Sequence, residues 1–266
     1  MDIVFYIVIF MMGAILGSLC ARIIQRLAKG KEFFTIHSYC PNCGKKIDFF
    51  DKIPIFSYIF LKGKCGKCKK KIESQYIILE ILTGLLFLIS AYGLNLNITN
   101  FNITNLISFI FVTLYFSYII LSIGLDKENK NTSASLLGYG TVISLIYIIY
   151  LSVIEKSTIY TNVVYLVAMV ILLLLNILNT KKRAQSSYVI DILTMLLIML
   201  IFTGEIVCIV TIIATLISIS LYILIKKIKT AKNKGTKVRT TFNSNLMIAF
   251  IMGTLNLFVF SILINL

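Results

Sequence analysis

Charge is what this sequence has least of: 14% of its 266 residues are Asp, Glu, Lys or Arg, where soluble domains carry about a quarter. With 58% hydrophobic residues and a mean hydropathy of +0.93, that deficit excludes an ordinary soluble globule. There is no tryptophan, one histidine and only two prolines. Several apolar runs reach roughly 18 residues or more, each long enough to cross a bilayer. A cleaved secretory signal begins with positive charge, and this chain has none there. Asp2 precedes the run Ile3 to Cys20, and Arg22, Arg26, Lys29 and Lys31 follow it. The sequence therefore predicts a retained first span with its N-terminus outside. Also lacking are internal repeats and a glycine-rich loop suited to a nucleoside cofactor. Charged or Gly/Pro-broken helices at mid-membrane, which would favour transport, are nearly absent.

What charge there is has one sign and one location. The net charge is +15, yet Lys and Arg lie in short clusters between apolar runs. A nucleic-acid surface would be continuous on one folded domain, so no nucleic-acid partner is expected. With the N-terminus outside, every Lys and Arg but Lys156 falls in a cytoplasmic segment, as the positive-inside rule requires. The loop "LNLNITNFNIT" is uncharged and falls outside. A Lys/Asn/Ile bias suggests an AT-rich bacterial genome, so the expected location is a bacterial cytoplasmic membrane.

The pattern gives an all-α polytopic membrane protein of about eight spans, at roughly 3–24, 75–93, 104–125, 134–154, 159–178, 187–203, 205–225 and 242–264. Spans six and seven are separated by little more than Gly204 and Glu205, which implies a tight hairpin. Three parts follow: a first transmembrane helix (1–24), a polar cytoplasmic insert (25–74) and a seven-helix membrane domain (75–266).

The insert carries "HSYCPNCGKK" and "GKCGKCKKK". Cys40-x-x-Cys43 and Cys65-x-x-Cys68 have 21 residues between them. Two such pairs at this separation point to a structural Zn²⁺ site, each turn giving two thiolates and four closing a tetrahedron. Two unconnected, redox-inert pairs are the other reading. Four protein ligands leave no position for water, so the metal holds structure: an insert this short buries little core, and a metal staples it. Gly44 and Gly66 supply permissive backbone at the turns. The insert's basic residues suit anionic lipid headgroups; a solvated basic surface that merely fixes topology is the other reading, and the better one for most of these lysines. Cys20 and Cys208, inside apolar spans, read as packing residues. His37 reads as a surface residue or a neighbour of the metal site.

Acidic groups in or beside spans are candidates for function because they are expensive there. Glu80, Asp126 and Asp191 qualify. Asp126 ends span three and Asp191 begins span six, both near the cytoplasmic face, so they could meet in the bundle. Two carboxylates sharing a proton can activate water for amide hydrolysis, although aspartates at helix boundaries also serve as caps. Glu80 could equally hydrogen-bond within the bundle. Glu205 lies at the opposite face and cannot join the pair. Gly138-Tyr139-Gly140, in span four, reads as helix packing.

The stretch "GAILGSLCARIIQRL", the C-P-x-C-G knuckle, the D-x-I-P-I-x-S-Y run from Asp51 to Tyr58, the second knuckle and the E-x-L-T-G stretch from Glu80 to Gly84 resemble the N-terminal region of bacterial type IV prepilin peptidases. The resemblance covers residues 13 to 88. It implies a membrane aspartyl protease that cuts the basic leader from prepilins or pseudopilins at the cytoplasmic face. It implies Asp126 and Asp191 as the catalytic pair, and in many members N-methylation of the new terminus with S-adenosylmethionine. Where the family carries G-x-G-D and a following Lys, residues 188–193 read "YVIDIL". A non-enzymatic relative, a zinc-stapled membrane scaffold or binding module, is the reading those missing glycines favour.

Overall fold

The computed structural model describes residues 2–28, 43–44, 55–72, 74–97, 102–127, 134–154, 159–180, 187–232 and 244–263. Their order is α1 (Asp2–Ala28), α2 (Phe56–Phe60), α3 (Ser74–Gly93), α4 (Ile103–Lys127), α5 (Ala134–Ile154), α6 (Ile159–Thr180), α7 (Ser187–Lys232) and α8 (Ser244–Leu263). Among the described residues the one strand-like pairing is an antiparallel bridge between Lys64 and Lys71. Among the described residues four helical stretches are long and apolar enough to cross a membrane: Ile3–Arg26, Ile103–Gly124, Leu136–Ile154 and Ile190–Ile225. Shorter apolar helices cover Ile77–Gly93, Tyr160–Leu175 and Ile251–Phe260. The all-helical class agrees with the sequence; the count of eight spans is larger than the four found by length and composition.

The helices form two compact units, Ser122–Leu263 and one built on Met1–Leu121. In the N-terminal unit α1 packs along α3 with small residues at the seam. A Cβ on Gly13 would lie 2.7 Å from the Thr83 carbonyl oxygen, and one on Gly17 would lie 2.9 Å from that of Leu79. A Cβ on Gly84 would strike the Phe10 ring at 2.6 Å. Backbones approach this closely only where side chains are absent, as in Gly-x-x-x-Gly contacts between membrane helices. Ala14, Ala21 and Ala91 are buried in the same unit, while Ile3, Val4, Ile7, Val8, Met12, Ile15 and Leu19 of α1 are exposed. A soluble helix would reverse that arrangement; here the large apolar residues face outward, as lipid demands.

At the other end of this pair Phe87 meets Phe109 edge-on, with ring centroids 5.7 Å apart. The Tyr6 hydroxyl donates to Asn97 Oδ1 at 2.7 Å, and Asn105 Nδ2 to the Leu94 carbonyl at 3.0 Å. These bonds satisfy the polar ends of α3 and α4.

In the second unit α7 packs against α5, α6 and α8. At about 1.5 Å per residue, its 46 residues would extend about 69 Å, over twice a bilayer's apolar thickness of about 30 Å. The helix is broken at Gly204, whose φ of 78° and ψ of 173° no side-chain-bearing residue adopts readily. The break falls where the sequence separates spans six and seven. Around it, Phe202 stacks on Tyr147 with centroids 4.6 Å apart, the Tyr165 hydroxyl donates to Glu205 Oε1 at 3.2 Å, and Asn162 Nδ2 donates to Ser152 Oγ at 3.2 Å. Along the helices, buried hydroxyls of Thr141, Ser144, Thr194 and Thr211 bond to carbonyls three or four residues back. Polar side chains are thereby satisfied without leaving the apolar interior.

Candidate metal knuckle and membrane carboxylates

The second Cys pair sits on a tight turn between the bridged residues Lys64 and Lys71. The Cys65 amide donates to the Lys70 carbonyl at 2.9 Å, and the Cys65 carbonyl accepts from Lys69 at 3.0 Å. Ile72 closes the base of the turn by donating to Gly63 at 2.8 Å. The Sγ atoms of Cys43, Cys65 and Cys68 lie within 4.8 Å of one another, each half-buried. Thiolates bound tetrahedrally to zinc at about 2.3 Å stand about 3.8 Å apart; the three sulfurs are close enough together to hold a metal ion. Cys40, the expected fourth ligand, and His37 lie outside the described residues.

The two knuckles share a backbone device. Gly44 follows Cys43 with φ of 66°, and Lys69 follows Cys68 with φ of 56°. The residue after the second cysteine is left-handed in each. Gly66, expected from sequence to supply that freedom, does not have positive φ, and a Cβ there would meet Leu61 at an ordinary 3.6 Å. A lysine holds the conformation instead. Gly63 is left-handed too, at φ of 66°, and a Cβ on it would press the Tyr58 ring at 3.0 Å.

Glu80 is buried, 8% exposed, one helical turn before the Thr83–Gly84 seam with α1. Its Oε2 accepts the Ile55 amide at 2.8 Å, and the Ser18 hydroxyl also bonds to its carboxylate, with Arg22 nearby on α1. Ile55 has φ of 62°, an outlying conformation for a β-branched residue. One carboxylate thus ties together α3, α1 and the start of α2. Of the three carboxylates singled out by sequence, this one is structural, and it explains why an acid is tolerated inside an apolar helix.

Asp191 is the fifth residue of α7, half-buried, with Tyr188 and Ile190 preceding it in regular helix. Asp126 lies in the last turn of α4, and its side chain is outside the described residues. Both belong to the second unit. Cys20 and Cys208 are buried, as packing residues should be. Gly138 is helical as expected, but nothing lies within 4 Å of where its Cβ would be, so it makes no close helix contact. Sequence reasoning passed over the Tyr165–Glu205 bond; the position of Glu205 beside the helix-breaking Gly204 was its available signal.

Residues 11–94 match the family described as the bacterial peptidase A24 N-terminal domain. The chain is similar to the prepilin leader peptidase/N-methyltransferase of Vibrio cholerae, 38% identical over 89 residues, covering 30% of this chain and 35% of that protein. It is 33% identical over 90 residues to the same-named protein of Klebsiella pneumoniae, covering 32% and 40%. Against that of Neisseria gonorrhoeae it is 48% identical over 50 residues, covering 19% and 18%. The matched stretch thus spans less than half the length of each relative. No solved structure matches the chain.

Proposed function

We propose, from the match of residues 11–94 to the bacterial peptidase A24 N-terminal domain family, that the protein is a prepilin leader peptidase of the cytoplasmic membrane. The observation that carries this is the coincidence of the matched segment with a cysteine cluster: Cys43, Cys65 and Cys68 converge inside residues 11–94, the stretch that matches the family. In this reading Cys40 completes the set, and the insert faces the cytoplasm. The zinc such a site would hold fixes the insert's fold and supplies no chemistry, since four thiolates leave no open position. The chain would cross the membrane eight times, with α7 counted as two spans about Gly204.

Asp126 and Asp191 are the proposed catalytic pair. One carboxylate takes a proton from a water molecule whose oxygen attacks the scissile carbonyl carbon. The other gives a proton to the departing amide nitrogen as the C–N bond breaks. The substrate would be a prepilin or pseudopilin whose apolar helix lies in the bilayer, presenting its basic leader at the inner face. N-methylation of the freed amine with S-adenosylmethionine belongs to the same proposal, and no residue is assigned to that cofactor. A second reading, a scaffold that keeps the fold without activity, is favoured by Tyr188 and Ile190 standing where the family's glycines would be.

Co-expression with a prepilin decides between them, leader loss being read as a gel shift. The wild type should cleave; Asp126→Asn and Asp191→Asn should each abolish cleavage while inserting and holding zinc. Glu128→Gln should cleave nearly normally. Cleavage by Asp191→Asn at the wild-type rate would displace that residue from the mechanism, and a wild type inert toward every cognate prepilin would establish the scaffold.

A further inference from the structure

The segment Ile55–Ile72 carries a surface that the metal site and the proposed cleavage leave unused. Lys62, Lys64, Lys67, Lys69, Lys70 and Lys71 are all exposed, and the segment contains no acidic residue. Three thiolates around one Zn²⁺ would offset this by a single negative charge, and a fourth by one more, so a strong positive excess remains. Beside the lysines, Phe60 ends α2 and is 82% exposed.

Chain geometry fixes how far this surface can stand from the bilayer. Lys71 is three residues from Ser74, the first residue of α3, a reach of about 10 Å at most. At the other end of the segment, Ile55 is held at 2.8 Å by Glu80. Glu80 lies six residues into α3, about 9 Å along its axis. Phe60 follows Ile55 by five residues, mostly helical, so it stays within about 8 Å of that level. The headgroup layers bring a bilayer from about 30 Å of hydrocarbon to about 40–45 Å overall, several ångströms on each side. Both ends of the segment are therefore tied close to the first two turns of α3, which keeps the lysines and Phe60 near the level where that apolar helix begins.

We propose that Phe56–Lys71 is a membrane-surface anchor: Phe60 enters the interface beneath α2, and the lysines bind the phosphate groups of anionic phospholipid. An aromatic ring flanked by cations is suited to this boundary, where its apolar face meets acyl chains and the charges stay wet. The anchor holds the zinc knuckle flat against the membrane from which α1 and α3 emerge.

The absence of native tryptophan makes Phe60→Trp a unique fluorescent reporter in the full-length protein. The protein is placed in nanodiscs of phosphatidylcholine alone or of phosphatidylcholine with phosphatidylglycerol. Quenching of the tryptophan is measured with brominated-chain lipid and with aqueous iodide. In anionic discs the ring should be quenched by brominated lipid and shielded from iodide. Lys67, Lys69 and Lys70 all changed to Gln should shift the population toward the iodide-accessible form by about 100-fold, about fivefold per lysine. Zinc content is measured on the same samples. If the triple variant loses metal, Lys67→Gln alone, at the exposed tip of the turn, carries the test with a shift of about fivefold. Iodide access that is equal in both discs overturns the proposal. So does shielding that appears only on addition of prepilin, which would assign the surface to the substrate.

Discussion

Gly44 and Lys69 occupy equivalent places in the two knuckles, and exchanging their chemistry should move metal affinity in opposite directions. Both are left-handed, at φ of 66° and 56°. A side chain in that region costs about 1–2 kcal/mol relative to the right-handed basin, a penalty glycine escapes. Among the described residues nothing lies within 4 Å of a Cβ placed on Gly44, so Gly44→Ala introduces this backbone penalty without a clash with any of them. Metal binding is coupled to closing the knuckle. A penalty of about 1 kcal/mol therefore weakens zinc by about fivefold, and Lys69→Gly, relieving the same strain, tightens it by about fivefold. Glycine is also more flexible in the open form, which trims the gain at Lys69. Lys69→Gln isolates the charge, because it keeps the side chain and the left-handed backbone. Competition with a chromophoric chelator on purified protein reads the three variants against wild type. Should Gly44→Ala bind zinc as tightly as wild type, or Lys69→Gly no better than Lys69→Gln, the backbone account of the knuckle is wrong.

Cys65→Ser should abolish stoichiometric zinc and Cys208→Ser should leave it unchanged, as metal analysis of the purified variants will show. Glu80→Ala removes the acceptor of the half-buried Ile55 amide, at about 1 kcal/mol; limited proteolysis should then cut between residues 55 and 72 sooner than in wild type, and unchanged protection would refute the tether. Gly17→Leu, forced against the Thr83 side chain and the Leu79 backbone, should separate α1 from α3 and lower the melting temperature, whereas Ile15→Leu on the exposed face should not. Cysteines introduced at Asn97 and Lys156 should react with an external impermeant reagent and those at Lys64 and Lys232 should not; external labelling at residue 64 would invert the topology.

Composition pointed to a membrane-type chain, because a chain with so few charges has no means of covering a soluble surface, and the length of the apolar runs made it all-helical. The ligand types were legible for a similar reason: a CxxC turn brings its own two sulfurs together, and only the joining of separate pairs needs folding. The break at Gly204 was readable as well, since a residue without Cβ between two long apolar runs is the cheapest place to leave a helix. Other features were decided by contacts between residues distant in the chain, which leave no periodicity to read. The role of Glu80 depends on Ile55, 25 residues away, and on Ser18 across the α1 seam. Nothing in a lone glutamate within an apolar run separates an anchor from an acid catalyst. Likewise the strained lysine at 69, rather than the glycine at 66, carries the turn, because the bonds from Cys65 to Lys69 and Lys70 set that geometry before residue preference does. The outward face of α1 is apolar like its inward face, so its orientation was invisible to hydropathy. It was set by size, since only the edge bearing Gly13 and Gly17 lets the α3 backbone come close enough to pack.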